Sequence, residues 1–347
     1  MMFTETRENP ADKRSPSHWV ALAHRGIQLV FFLVVLWIGA CFIAYAAWLL
    51  GWREAFSPRP PAVEGFLPIS ALLALKRLLL TGQWDDVHPA GLAILVTALV
   101  TALILRKGFC GYVCPVGTVS FWLFRLGRRL GLTVTPPRWL AWLLSIPKYL
   151  LLAFFLRLVL PGGMSVTDID AFLHSPYNMV ADTKMLLFFM PPSSTTSVII
   201  ALLVMGSIFI PSFWCRFLCP YGALLGLFSL FSPLAMRRSP AACTGCRRCA
   251  RACPQGIAVH QLRRVSSAEC NGCQECLAAC PEKDCLSMRL GYTAQRTCRV
   301  PWPLVGISML AAFVLAWALA EVTGHWVSEV PAEMLQMLHQ RIDSIVH

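Results

Sequence analysis

The sequence predicts an α-helical polytopic membrane protein, with five transmembrane helices, a parallel internal repeat of helix pairs and a small cysteine-rich α+β module. Three observations predict it. The 347 residues are 56% hydrophobic and only 14% charged, with a mean hydropathy of +0.60, whereas soluble domains are roughly a quarter charged. Five runs approach the ~20 apolar residues that a span needs: Ile27–Leu50, Pro89–Leu105, Leu140–Leu160, Ser197–Phe213 and Trp302–Ala320. Eight of the fifteen cysteines fall within 38 residues, Cys243–Cys280, a regular tract that points to metal ligation more than to disulfides.

The apolar runs set the topology. Residues 1–18 are polar, and the run behind them is long enough to span, so it reads as an uncleaved anchor. The stretch Ile69–Leu80 is too short and carries Lys76 and Arg77, which suits an interfacial or re-entrant helix. Cations cluster on alternate segments: Lys13, Arg14 and Arg25, then Arg106, Lys107, Arg125, Arg128, Arg129 and Arg138, then Arg216, Arg237 and Arg238. The intervening loops hold Glu54, Glu64, Asp85, Asp86, Asp168, Asp170 and Asp182. By the positive-inside rule the N-terminus and the cysteine tract face the cytoplasm, and the tail from about Glu321 lies outside. Cations that flank apolar runs are topology signals, so nucleic acid is not an expected partner; the lipid bilayer is.

Two cysteine pairs sit at cytoplasmic span ends. Cys110, Cys114, Pro115 and Gly117 recur as Cys215, Cys219, Pro220 and Gly222, a constant offset of 105. Each copy is followed by an amphipathic segment ending in arginines, Phe121–Leu130 and Leu224–Met236, suited to an anionic inner leaflet. Two copies with the same orientation imply a repeat about an axis along the membrane normal, which would bring the four thiols together. A CxxxC pair with a following proline can merely end a helix. Four thiolates could instead hold a third iron–sulfur cluster or a soft metal such as copper, or cycle as dithiols.

The tract itself reads Cys243-x2-Cys246-x2-Cys249-x3-Cys253-Pro254, then Cys270-x2-Cys273-x2-Cys276-x3-Cys280-Pro281. This is the spacing of a bacterial-type 2[4Fe–4S] ferredoxin, in which the fourth cysteine of each run serves the other cluster. The first cluster is therefore assigned Cys243, Cys246, Cys249 and Cys280, and the second Cys270, Cys273, Cys276 and Cys253. Gly245 and Gly272 let the backbone approach the sulfides. Cys285 and Cys298 lie outside the pattern and read as free thiols, and Cys41 as a core residue of the first span. No CxxCH occurs, which argues against covalent c-type haem.

The expected division is residues 1–25 as a cytoplasmic segment, 26–135 and 136–238 as two membrane repeats, and 239–295 as the ferredoxin domain. Residues 300–321 form the fifth span and 322–347 a periplasmic tail. Apolar Met334, Leu335, Leu338 and Ile342 recur at helical spacing in that tail, as for docking a partner or lying on the membrane.

Cys110–Pro115, Cys215–Pro220 and the tract from Cys243 to Pro281 together resemble the NapH-type polyferredoxin membrane proteins, to which the NosR membrane portion and CcoG/RdxA-type proteins are related. His24-Arg25-x2-Gln28 and Lys148-Tyr149 look like further features of that family, and the resemblance covers roughly residues 20–290. The chain departs from the family in its fifth span and tail. It also lacks the flavin-binding domain of NosR-like members and the immunoglobulin-like domain of CcoG-like ones. The resemblance implies a quinol dehydrogenase subunit of the bacterial inner membrane, passing electrons between the quinone pool and a periplasmic or membrane redox partner. The alternative it implies is a copper or metallocofactor-maturation reductase working through the CxxxCP thiols. Lys148, about ten residues into its span, is costly there and so a quinone-site candidate or a counter-charge to a cluster. Arg157 reads as a snorkelling anchor; Asp168, Asp170, His174 and His88 are possible proton acceptors. No catalytic acid–base set stands out.

Overall fold

The computed structural model describes residues 16–160, 162–190, 192–282, 284–292 and 297–345; Lys13, Arg14 and the last two residues of the tail lie outside them. Helix α1 (Pro16–Leu49) is followed, after a 3-10 turn at Pro61–Phe66, by α2 (Pro68–Thr81) and α3 (Pro89–Leu105). One π-helical turn, Phe109–Val113, leads into α4 (Pro115–Arg129) and then α5 (Arg138–Val159). Short helices α6 (Val166–Leu173), α7 (Pro176–Met179) and α8 (Ala181–Phe189) precede α9 (Ser194–Phe209), α10 (Phe213–Phe217) and α11 (Pro220–Ser229). Strand β1 (Leu234–Arg238) is separated from β2 (Leu286–Leu290) by α12 (Arg248–Arg251) and α13 (Glu275–Ala278), and β3 (Cys298–Arg299) closes the sheet. Helices α14 (Trp302–Val322) and α15 (Ala332–His339) follow.

The chain is a membrane protein. Among the described residues, three helices are long and apolar enough to cross a bilayer alone: α1 from His18, α5 and α14. Helices α8 and α9, bent by 80° to one another, make a fourth if they count as one broken span. Five full spans were expected; α3 has 17 residues, about 26 Å at 1.5 Å per residue, against a hydrocarbon core of ~30 Å. Both short helices end where the chain turns into a cysteine pair. Arg106 caps α3 with a φ of 63°, and extended Ile210 ends α9 two residues before Ser212, whose left-handed φ of 48° opens α10.

Helix α3 packs on α11, and α9 on α4, so each cysteine unit covers the helix that leads into the other. Gly127 of α4 makes one of these contacts possible, because a Cβ there would stand 2.0 Å from the Ile208 carbonyl oxygen. The second amphipathic segment is shorter than its pattern suggested. Helix α11 stops at Ser229, Pro233 bars its continuation, and Leu234–Met236 enter β1. Strand β1 pairs antiparallel with β2, Leu234 opposite Leu290 and Arg238 opposite Leu286, so the sheet begins ahead of the expected boundary at residue 239.

The module's core is continuous with the membrane helices. Leu234, Met236, Val259, Val265, Leu286 and Met288 pack with Val305 and Met309 of α14 and with Tyr112. The last long helix is thus a buttress of the module. The tail turns back onto its own chain: Leu335 is buried among Phe42, Tyr45 and Leu49 of α1, Val63, Val87 and Met179, and His339 Nε2 lies 2.8 Å from Thr183 Oγ1. Helix α2 packs on α3, α5 and α6.

Candidate iron–sulfur and thiol sites

The two cysteine runs fold alike. Gly245 and Gly272 have φ of 71° and 67°, and Arg247 and Gln274, two residues on, both have φ of 60°. These left-handed turns curl each loop before α12 or α13 begins. A cavity is lined by Cys253, Cys270, Cys273 and Cys276 with Met236, Val259, Val265 and Met288. A second is lined by Cys243, Cys246, Cys249 and Cys280. Each cavity takes three cysteines from one run and the fourth from the other. Among the described residues, no three His, Cys, Asp or Glu side chains close round a single ion. Sulfurs around a cavity rather than a point suit a polynuclear iron–sulfur group better than zinc.

The first cavity is proximal to the membrane helices. The Lys107 N–H donates to Cys270 O at 3.4 Å, Tyr112 Oη to Gly272 O at 3.2 Å, and Gln274 Nε2 to Trp302 O at 3.1 Å. Burial pushes the Cys253 thiol up to about 11. The second cavity is distal: Cys246 is exposed, and hydrogen bonding from the Gly245 N–H and from Arg238 lowers Cys243. Burial and the charges of Arg247, Arg238 and Arg138 hold His260 below its usual range. Cys285 also lines this cavity and is 3% exposed, so it is a fifth cysteine beside Cys243 and Cys280. Sequence reading placed it outside the pattern, and its spacing alone carries no sign of this position. Cys298 is exposed on β3, and Cys41 is half-buried in α1.

The four membrane thiols lie within electrostatic reach of one another. Cys110 in the π turn feels Lys107, Cys114, Cys215 and Cys219. Cys114 and Cys219 precede α4 and α11, each with proline at the first helical position, where a missing N–H costs nothing. Gly117 is required by close approach, since its Cβ would come 2.1 Å from Cys110 O. Cys219 Sγ accepts from the Gly222 N–H at 3.3 Å, and Ser120 Oγ stands 3.7 Å from Cys215 Sγ. Burial raises Cys114 to about 11 and Cys215 to about 12. Unmetallated, Cys110, Cys114 and Cys215 are neutral thiols, and a metal or cluster is what would draw off their protons.

Lys107 and Lys148 join this site to the module. Both are buried, at 1% and 0% exposure, and both ammoniums meet Glu269, the residue before Cys270; the Lys107 contact is 3.2 Å to Oε2. Burial would raise the Glu269 carboxyl, but the two lysines pull it below its ordinary value. Lys107 Nζ also stands 3.4 Å from where a Gly222 side chain would start, against the second CxxxCP copy. A second bolt comes from α1. His24 Nε2 and Gln28 Nε2 lie 3.0 and 2.8 Å from Gly111 O, between Cys110 and Tyr112. His24 Nδ1 and Arg25 Nη2 each lie 3.2 Å from Glu275, next to Cys276. Glu269 and Glu275 escaped sequence reading, and Lys107 read only as a topology cation, because nothing local marks one cation or acid as paired across 120 or more residues.

At the opposite end of α3 a separate polar group is buried. Arg59 reaches Glu64 at 2.9 Å and Asp182 at 2.8 Å, and His88 Nδ1 lies 3.5 Å from Glu64. His174 pairs with Asp86 at 3.0 Å and Arg77 with Asp170 at 2.6 Å, while Asp168 caps α6 through a box with Ser165. Arg157 is exposed near the end of α5.

Comparison with known proteins follows the same lines. A 4Fe-4S binding domain model matches residues 87–133 and 195–238, and a 4Fe-4S dicluster domain model matches residues 235–281. YccM of Escherichia coli (strain K12), to which an electron-transport role is attributed, is 36% identical over 343 residues, 97% of this chain and 94% of that protein. This chain belongs to the NapH-type polyferredoxin membrane-protein family. NirI of Paracoccus denitrificans (strain Pd 1222) is 28% identical over 65% of the chain and 31% of its own length. The methylamine utilization ferredoxin-type protein MauN of Methylorubrum extorquens is 29% identical over 56% of the chain and 63% of its own length. No solved structure matches the chain. A member of the NapH-type family with these domains is an electron-transport protein.

Proposed function

We propose that this NapH-type protein is a quinol-linked electron conduit of the bacterial inner membrane, passing electrons between the quinone pool and a partner oxidoreductase, periplasmic or membrane-bound. Cys243, Cys246, Cys249 and Cys280 hold the distal [4Fe–4S] cluster, and Cys253, Cys270, Cys273 and Cys276 the proximal one, with both cavities on the cytoplasmic side. When bound, such clusters supply one-electron carriers over a wide range of potentials. The observation that carries this reading is one unbroken chain of contacts: the four membrane thiols, Lys107, Glu269 and the Cys270 loop. Electrons crossing between bilayer and module meet no gap in that chain, and the bond from Tyr112 Oη to Gly272 O adds a second link between the two parts. Lys148 fits the role of counter-charge better than that of a quinone ligand, because Glu269 takes its ammonium. Cys110, Cys114, Cys215 and Cys219 are suited to a third metal group, since thiols raised as Cys114 and Cys215 are make poor nucleophiles for dithiol exchange.

In proteoliposomes, quinol should bleach the cluster absorbance of the purified chain, and C110S with C215S should abolish that bleaching while the module's clusters remain. An iron content of about twelve per chain marks a third cluster, and about eight confines the clusters to the module. The gathering of four sulfurs at the bilayer edge also favours a second reading, a copper reductase. Copper reduction that depends on Cys110 and Cys215 without any quinol coupling would decide for it.

A further inference from the structure

The distal cavity opens on a surface whose charge the electron-conduit reading does not use. Residues 237–264 contain seven arginines and no acid. Arg238 and Arg247 line the cavity, and Arg247, Arg248 and Arg251 are exposed beside exposed Cys246. Arg251 donates to Cys246 O at 3.5 Å, and Arg128 to Arg251 O at 3.5 Å, which extends the basic face onto α4. On the acid side, Glu282 lines the same cavity. Asp284, two residues on, is 2.6 Å from Arg299. A cysteine at the surface marks where an electron can leave or enter a buried redox group over a short path. Arginines round that point steer and orient a negatively charged macromolecule.

We propose that this face docks an acidic soluble one-electron carrier protein, of ferredoxin or flavodoxin chemistry, which exchanges one electron with the group in the distal cavity. The carrier gives up one electron and the distal group takes it, or the reverse; no bond forms and no proton moves. The inference rests on the cluster assignment above, yet docking itself does not need a loaded cluster.

The test uses the full detergent-solubilised chain and, as probe, a strongly acidic [2Fe–2S] ferredoxin. Stopped-flow reduction by the probe should slow about tenfold or more as salt rises from about 50 to 300 mM. R248E with R251E should slow it about tenfold at low salt, and R53E at the opposite end should not. Iron content and the electron paramagnetic resonance spectrum should stay unchanged in all three proteins. Probe affinity, measured without electron transfer, should fall in parallel. A rate and affinity that ignore both salt and R248E/R251E overturn the proposal, and the salt series on the native chain needs no variant to show it. If the double variant instead loses bound anionic lipid while probe binding persists, the arginines serve the membrane and the proposal fails. Salt-sensitive binding with no electron transfer retains the docking and removes the cluster reading.

Discussion

The two cysteine runs of the module have the same spacing and the same left-handed turns, yet their environments are opposite. At an offset of 27, Glu269 answers to Ala242, Gln274 to Arg247, Glu275 to Arg248 and Ala278 to Arg251. The acids of the proximal run meet Lys107, Lys148, His24 and Arg25 of the membrane helices. The arginines of the distal run meet solvent. Cysteine spacing builds a cavity, and the residues between the cysteines decide what that cavity is joined to. One repeat has become an anchor and the other a contact face.

The sharpest way to break this comparison is to remove the anchor. Glu269→Leu leaves two buried ammoniums without a partner, at a cost of about 3–5 kcal/mol. It should collapse the yield of folded protein or lower its unfolding temperature markedly. Arg248→Ala at the distal run should change stability by no more than about 0.5 kcal/mol. Thermal unfolding followed by the module's visible absorbance compares the two. Equal effects would mean that the runs are not differently anchored.

Next in size is the loss of one cluster or the other. Cys276→Ser and Cys249→Ser should each lower iron from about eight to about four per chain, leaving any third group aside. Quinol-driven bleaching should survive in Cys249→Ser and vanish in Cys276→Ser, since only the proximal cavity touches the thiol site. Survival in both would sink the order proximal before distal.

Acid should separate the runs in the same direction. Burial works against ionised Glu269 and Glu275, but Lys107 and Lys148, and His24 with Arg25, hold both below the ordinary 4.5. A depressed folded value adds stability above pH 4.5, and that stability is lost as pH falls below it through the folded values. Hydrogen exchange near Gly111 and Tyr112 should therefore speed up below about pH 4.5 before exchange near Arg247 does. Glu269→Gln should flatten the difference. Simultaneous opening of both runs would point to cluster loss as the cause.

Much of this was legible in sequence because it is local. The cysteine spacings, the prolines behind them and Gly117 each state a rule that acts over a few residues. Helix α3 was placed at its true ends, Pro89–Leu105, by apolar content and the cations that follow. The signals that failed were long-range. Leu234–Met236 read as helix because their strand partner lies some fifty residues on, and α15 read as a segment that docks a partner or lies on the membrane because its buried niche on α1 is made by distant residues. Lys148 showed its cost but not its partner. The weak His24-Arg25-x2-Gln28 pattern turned out to be the clamp on Gly111 and Glu275, which no reading of three side chains in isolation supplies.

The smallest effect tests the residue whose place the spacing hides. Cys285 lies beside Cys243 and Cys280 on the distal cavity, and the proximal cavity has no fifth cysteine among its lining residues. Burial first, and then the neighbouring Cys280, push its thiol up to about 12, so it stands as a neutral S–H close to ligand sulfurs. A weak donor beside a cluster thiolate stabilises the reduced, more negative state, since hydrogen bonds to the sulfurs tune the potential. Cys285→Ala should keep about eight irons, make the distal group harder to reduce and leave the proximal signal where it was. Redox titration followed by electron paramagnetic resonance resolves the two. Should iron fall to about four instead, Cys285 rather than Cys280 is the fourth ligand, and the distal run departs from its twin in the cluster itself as well as in its surroundings.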